Sequence, residues 1–230
     1  MARRPWVLAG GLAVAVAASS PPHVRAASAA TASSRVMLGR VNYSGGGDWY
    51  ANPSSLKNLI RAVAERTSIP IDREEHSVTF RDPRLFDYQF LHLTGHGTIT
   101  MNPDEVARVR AYLLRGGFLH VDDNYGLDSS FRIVLRQLFP DRPLIDVPLN
   151  HPIYRLVYPF PRGVPKIHEH DAKIAQGFGL FVEGKLSVFY SFETNPSDGW
   201  ADAEVHHDPP EKRELSFKIG TNILVYALSR

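Results

Sequence analysis

The sequence predicts an α/β protein: a doubly wound, mostly parallel sheet flanked by helices, with an antiparallel hairpin towards the C-terminus. Three observations carry this reading. Short apolar runs alternate with stretches of helical periodicity, the pattern of parallel strands joined by crossover helices. Two of those runs stop abruptly in polar residues, Leu93-Thr94-Gly95-His96-Gly97 and His120-Val121-Asp122-Asp123-Asn124. Neighbouring parallel strands do this where their carboxyl ends display chemistry. Further on, Gly179–Val182 and Lys185–Phe192 alternate about Glu183-Gly184, which reads as a hairpin.

In chain order, residues 1–29 read as a signal peptide. Arg3 and Arg4 give a positive start, Trp6–Ala18 a short apolar core, and Ala27-Ser28-Ala29 an A-x-A cleavage pattern. Neither this core nor any later segment is long enough to span a membrane. A single domain is expected over residues 30–230, exported to a periplasmic or extracellular location. Arg35–Tyr43 is its first strand and Ser44–Tyr50 a glycine-rich loop. Asn52 caps a helix with Pro53 at its first position, and Leu56, Leu59, Ile60 and Val63 form the inner stripe. Val78–Phe80 is a short second strand. Tyr88–Leu93 is the third, and its nearly continuous apolar run suits burial on both faces.

Asn102, Pro103 and Glu105 then supply the cap, first turn and capping-box partner of the clearest helix. Val106, Val109, Leu113 and Leu114 line its apolar face, and Gly116-Gly117 stops it. Phe118–Val121 is the fourth strand, Asp128 caps a helix that Pro140 ends, and Leu144-Ile145 make the fifth strand. After the hairpin, Glu193–Lys212 is a long polar loop and Leu215–Leu228 a closing helix. A flavodoxin-like strand order puts the switch point between strands one and three. Ser44–Tyr50, Thr94–Thr98 and Asp122–Tyr125 then share one rim.

Composition excludes several classes. Losing the signal removes three arginines, leaving 23 basic against 24 acidic residues, so the mature chain is near neutral. Without blocks of lysine and arginine, nucleic acid is not an expected partner. Cysteine is absent, which removes disulfides, thiolate metal sites and a cysteine nucleophile together. There is no G-x-S-x-G elbow and no H-E-x-x-H. No cofactor can be read from the sequence.

Asp122-Asp123 is the strongest chemical feature. Adjacent residues leaving a strand point to opposite sides, so one of them faces a crevice. The pair can supply oxygen ligands to a hard cation, or split into an acid beside a base. Alternatively, one caps the following turn and the other is solvated. On the functional reading, Asp123→Ala spares folding. His96, flanked by glycines, stands at the rim as a base or ligand, and with Asp122 and Asp123 makes the candidate metal set. His92 and His120 lie within apolar runs and read as core histidines. Gly46 and Asp48 belong to a loop that lacks the lysine and the G-x-G-x-x-G spacing of nucleotide binders. Trp49 and Tyr50 can stack on sugar rings, and Thr94, Gly95 and Asn124 complete the candidate ligand-binding rim. His151 can approach the same rim. His168-Glu169-His170 would put two imidazoles on one face of a strand, with no third ligand assignable by spacing. His206-His207-Asp208 sits in a polar loop facing solvent.

Taken together, these segments resemble a bacterial family, domain of unknown function 4159. The matching pieces are Arg40-Val41-Asn42-Tyr43 with the glycine loop and Asp48-Trp49, Thr94-Gly95-His96-Gly97, and Gly116-Gly117-Phe118-Leu119 through Asp122-Asp123. His151-Pro152-Ile153-Tyr154, Ser191, Trp200, Gly220-Thr221-Asn222-Ile223-Leu224 and Tyr226-Ala227-Leu228 complete the likeness. The family has an aspartate before the histidine-proline pair, where this chain has Asn150. The resemblance implies a fold similar to class I glutamine-amidotransferase domains. There, the strand after the Gly-Gly turn ends in a cysteine nucleophile, a place taken here by Asp122, Asp123 or Asn124. Thioester chemistry is then unavailable.

Two readings follow. The first is a noncatalytic exported module that binds a small ligand, a glycan or an envelope protein through the rim. The second is a hydrolase, metal-assisted or not, in which Asp122 or Asp123 works with His96 or His151.

Overall fold

A computed structural model describes residues 1–2, 35–170 and 172–230. The segment read as a signal lies outside the described residues except for Met1 and Ala2. From Arg35 onward the described residues pack as one unit. Seven strands form one sheet: β1 (Leu38–Val41), β2 (His76–Val78), β3 (Phe90–His96), β4 (Phe118–Tyr125), β5 (Ile145–Asp146), β6 (Gln176–Val182) and β7 (Lys185–Phe192). Their order is β2-β1-β3-β4-β7-β6-β5. The neighbours from β2 to β7 are parallel, whereas β6 runs antiparallel to both β7 and β5. The chain steps outward from β1 to β2, then returns past β1 to β3, so the winding reverses between β1 and β3.

Among the described residues six α-helices accompany the sheet: α1 (Ser55–Arg66), α2 (Pro103–Leu114), α3 (Asp128–Leu138), α4 (Pro196–Trp200), α5 (Ala203–His206) and α6 (Pro210–Ser229). Side-chain alternation along the strands divides the core in two. Leu91, Leu93, Leu119 and Val121 face α2 and α3, meeting Val109, Leu113, Phe131 and Leu135. Phe90 and Phe118 point the other way, joining Leu56 and Leu59 of α1, Ile219 and Ile223 of α6, and Trp200. The central strands are therefore covered on both sides, which explains why β3 reads as an unbroken apolar run.

Local chemistry fixes several boundaries. Asn102 Oδ1 accepts from Glu105 N and Glu105 Oε2 from Asn102 N, both at 3.0 Å, so the capping box forms and starts α2. The β6–β7 hairpin turns through Glu183 and Gly184, both with positive φ, the demand of a tight two-residue turn.

Four expectations need correcting. The third and fourth strands run on to His96 and Tyr125, carrying their polar ends inside the ladder. α1 begins at Ser55 after Ser54, because Asn52 adopts a left-handed φ of 53° and turns its amide towards other partners. Asp128 is the first residue of α3 rather than its cap. The polar loop from Glu193 is partly helical: it holds α4 and α5, and α6 starts at Pro210, where the proline ring presets the first turn.

Trp200 links these late elements to the core. It is fully buried, and its indole N–H donates to Ser216 O at 2.8 Å. Gly220 of α6 lies against it, so an added Cβ there would come within 2.6 Å of Leu59 and 2.8 Å of the indole. The indole, pinned by its hydrogen bond, has little room to retreat. Gly220→Ala is accordingly expected to lower stability by about 1–3 kcal/mol despite the better helix propensity of alanine, measured by urea unfolding.

Candidate functional site

Backbone hydrogen bonds draw three distant turns together at the carboxyl ends of the parallel strands. Gly47 N donates to Thr98 O at 2.9 Å, Asp48 N to His96 O at 3.2 Å, and Gly97 N to Tyr125 O at 3.1 Å. Gly95 makes this possible. Its φ is 145°, and a Cβ would approach Asp48 O to 2.9 Å and collide with the Tyr43 hydroxyl. That hydroxyl is buried and, among the described residues, unpartnered; burial and then the Asp48 and Asp123 carboxylates push its pKa up.

Asp48 holds His96 twice: its carboxylate accepts from the His96 backbone N–H and stands 3.0 Å from Nδ1. This fixes the ring and leaves Nε2 facing outward. His96 is 43% exposed. Trp49 and Tyr50 meet edge to face at 5.7 Å; Trp49 packs on the core, whereas Tyr50 is exposed. Gly46, with φ 91°, shapes the loop beside Thr98.

The paired carboxylates part company. Asp122 belongs to the column Phe118–His120–Asp122–Asn124 and is wholly buried, not solvated. Its Oδ2 accepts Ser197 N at 2.8 Å, and burial drives its pKa well up despite that bond. Asp123 faces the α2–α3 side. It accepts Leu127 N at 3.0 Å and the Tyr190 hydroxyl at 3.0 Å, so it holds the turn into α3. Burial raises its pKa as well. Neither carboxylate reaches His96, and the candidate metal set of Asp122, Asp123 and His96 is not gathered into one sphere.

Below the rim, strand register stacks two imidazoles. His92 pairs with His120 and both are fully buried, their rings 5.1 Å apart under Trp200. His120 Nε2 is 2.7 Å from Ser191 Oγ, and the two Nδ1 atoms are 3.1 Å apart. If His120 Nε2–H donates to the serine, His92 donates from Nδ1, and His92 Nε2, unpartnered among the described residues, is a bare lone pair rather than an orphaned N–H. Burial depresses both pKa values, His120 to about 3.

Above them a polar network closes the rim. Asn124 Oδ1 accepts from Thr94 Oγ1 at 3.1 Å and Ser197 Oγ at 3.0 Å. Asn52 Nδ2 donates to Asp198 Oδ1 at 2.6 Å, while its Oδ1 lies 2.6 Å from His206 Nε2. An arc of imidazoles leads back to the Asp48–His96 pair. His206 stands 5.5 Å from His168, His168 is 5.1 Å from His170, and His170 is 5.8 Å from His96. Tyr125 covers His170 at 5.1 Å. Of the five non-glycine residues with positive φ among those described, Glu183 serves the hairpin; the other four, Asn52, Glu193, Asn195 and His207, lie in the segments that carry this network. Unusual backbone of that kind concentrates where geometry is over-determined.

His151 is elsewhere. Its Nδ1 accepts Ile153 N, and its ring packs on Tyr226 at 4.9 Å. Tyr226 in turn contacts Phe118, the first residue of β4, so His151 lies roughly 20 Å from the rim, at the opposite ends of the strands. Conversely, Asn52, Ser197, Asp198, His206 and Asp208 belong to the rim although their local sequence marks them only as a helix cap and a solvated loop. The one available signal was the density of histidine in 168–170 and 206–207.

A mostly parallel α/β sheet whose strand ends carry a buried polar network under an exposed His–Asp pair defines the class of architecture. The profile of domain of unknown function DUF4159 matches residues 37–228, and the chain belongs to that family. No curated protein matches it.

Because Asp123 holds a turn, Asp123→Ala is expected to destabilise the fold by about 1–3 kcal/mol, read by urea unfolding; an unchanged midpoint would contradict its structural role. His120 gives a pH signature. Its folded pKa, about 3, lies below the unfolded 6.5, so its contribution is complete above about 6.5 and is lost as pH falls towards 3. The raised carboxyls of Asp122 and Asp123 act with the opposite sign. The histidine is therefore isolated by comparing wild type with His120→Gln. Their stability gap should shrink between about pH 7 and about pH 5, by at most about 1.4 kcal/mol per unit.

Proposed function

We propose that this chain is an exported, noncatalytic binding module, with an amidotransferase-like fold that lacks the cysteine nucleophile, that presents its strand-end rim to a small ligand, a glycan or an envelope protein. One observation carries the reading. At the end of β4, where the resemblance to amidotransferases puts a nucleophile, every polar side chain has a structural task. Asp122 anchors Ser197, Asp123 anchors the turn into α3, and Asn124 receives two hydroxyls. The groups left outward are recognition groups: His96 Nε2, Tyr50 and Tyr125. Exposed tyrosine rings on the same turns as a fixed hydrogen-bonding imidazole suit the alternating apolar and hydroxylated faces of a sugar. Export is read from residues 3–29 alone.

The hydrolase reading keeps one point in its favour. A carboxylate on Nδ1 with Nε2 outward is also how a general base is oriented. The two are separated by incubating the purified chain with glutamine and with neutral and anionic oligosaccharides. Ligand-observed NMR is expected to detect oligosaccharide binding that His96→Ala and Tyr50→Ala each weaken about tenfold or more with unchanged melting, while neither ammonia nor cleaved sugar appears. Turnover abolished by His96→Ala would overturn the binding reading.

A further inference from the structure

We propose that His168, Asp198 and His206 bind a divalent transition-metal ion of the zinc class, a site distinct from the Asp48–His96 face and independent of the binding reading above. The three come from separate segments: the loop before β6, the first turn of α4 and the end of α5. Yet one ligand atom from each lies within 4.8 Å of the other two. One pair, His206 Nε2 and Asp198 Oδ1, is 3.6 Å apart, about the spacing of two ligands on a tetrahedral zinc. Small side-chain rotations close the rest.

The donor set selects the ion. Two imidazoles and one carboxylate suit zinc and its neighbours, whereas calcium and magnesium prefer all-oxygen shells. Three protein ligands leave a fourth position for water or an incoming group. The His170 ring, 5.1 Å from that of His168, stands 5.8 Å from His96.

The surrounding residues are arranged as outer-shell partners. Asp208 Oδ1 stands 3.4 Å from His168 Nδ1, which leaves Nε2 for the metal, the carboxylate–histidine–metal arrangement. The Asp208 side chain is itself 7% exposed, and its Oδ2 has no partner among the described residues. Asn52 holds Asp198 by donating to its Oδ1, and its own Oδ1 accepts from His206 Nε2 while that nitrogen carries the proton. On binding, the His206 Nε2 proton passes to Nδ1, the nitrogen offers its lone pair to the metal, and the Asn52 contact is released.

Charge supplies an independent argument. The Asp198 carboxylate is 3% exposed and is met by the Asn52 and Asn195 amides and the His206 ring. Neutral amides offset only part of the cost of burying a carboxylate; a cation at the imidazole side completes it.

The test uses the full chain, stripped with EDTA and titrated with Zn²⁺ by calorimetry, then with Co²⁺ by visible absorption. The expected result is a single Zn²⁺ equivalent and the intense bands of four-coordinate cobalt. His168→Gln and His206→Gln should each weaken uptake at least ~100-fold, and Asp208→Asn ~10–100-fold, with circular dichroism unchanged. His151→Ala, at the far end of the strands, should bind normally. If His168→Gln does not fold, His206→Gln and Asp208→Asn carry the test. Absence of uptake, uptake that survives His206→Gln, or equal loss in His151→Ala would overturn the proposal. His96→Ala separates the two readings: it should lose oligosaccharide binding and keep Zn²⁺.

Discussion

Asp122 is a carboxyl group with no access to water, and the rim is organised around the hydrogen bond that its Oδ2 accepts. Burial pushes its pKa well up, and its Oδ2 accepts the backbone N–H of Ser197. That bond fixes the first turn of α4 against the end of β4. With Ser197 in place, its hydroxyl reaches Asn124 and Thr94, and its neighbour Asp198 meets Asn52. A single buried group thus sets the position of a segment that lies 75 residues away in sequence.

The parallel ladder makes this transmission rigid. Thr94 pairs with Asp122, and Asp122 with Ser191, so one row of polar residues crosses three adjacent strands. The row beneath holds His92, His120 and Phe189. Each strand therefore grades from apolar to hydrogen-bonded as it approaches the rim. The graded column is stable because helices cover both faces and exclude solvent from partners that water would otherwise compete for.

Much of the architecture was legible because it is written locally. The capping box at Asn102 and Glu105, the hairpin at Glu183-Gly184 and the apolar run of β3 are patterns that neighbouring residues complete by themselves. The polar strand ends also pointed correctly to three turns meeting on one edge. The histidine-rich half of the rim was not legible. Asn52 precedes a proline and a helix, which is what a cap looks like, yet its amide is used by residues 146 and 154 positions later. Nothing in its own neighbourhood encodes that. Likewise Asp122 and Asp123 are equivalent as text; alternation of the strand sends one to each face and gives them unrelated work. Trp200 fell in an apparent loop because its partners, Leu59, Gly220 and Ser216, come from two other helices.

The sheet ends in β2 on one side, three residues long, and in β5 on the other, only two residues long. A foreign strand arriving at either border finds a docking template of at most a few amides, too short to register against. Among the described residues the borders thus offer other chains little to pair with, while the long central strands carry polar termini inside the sheet.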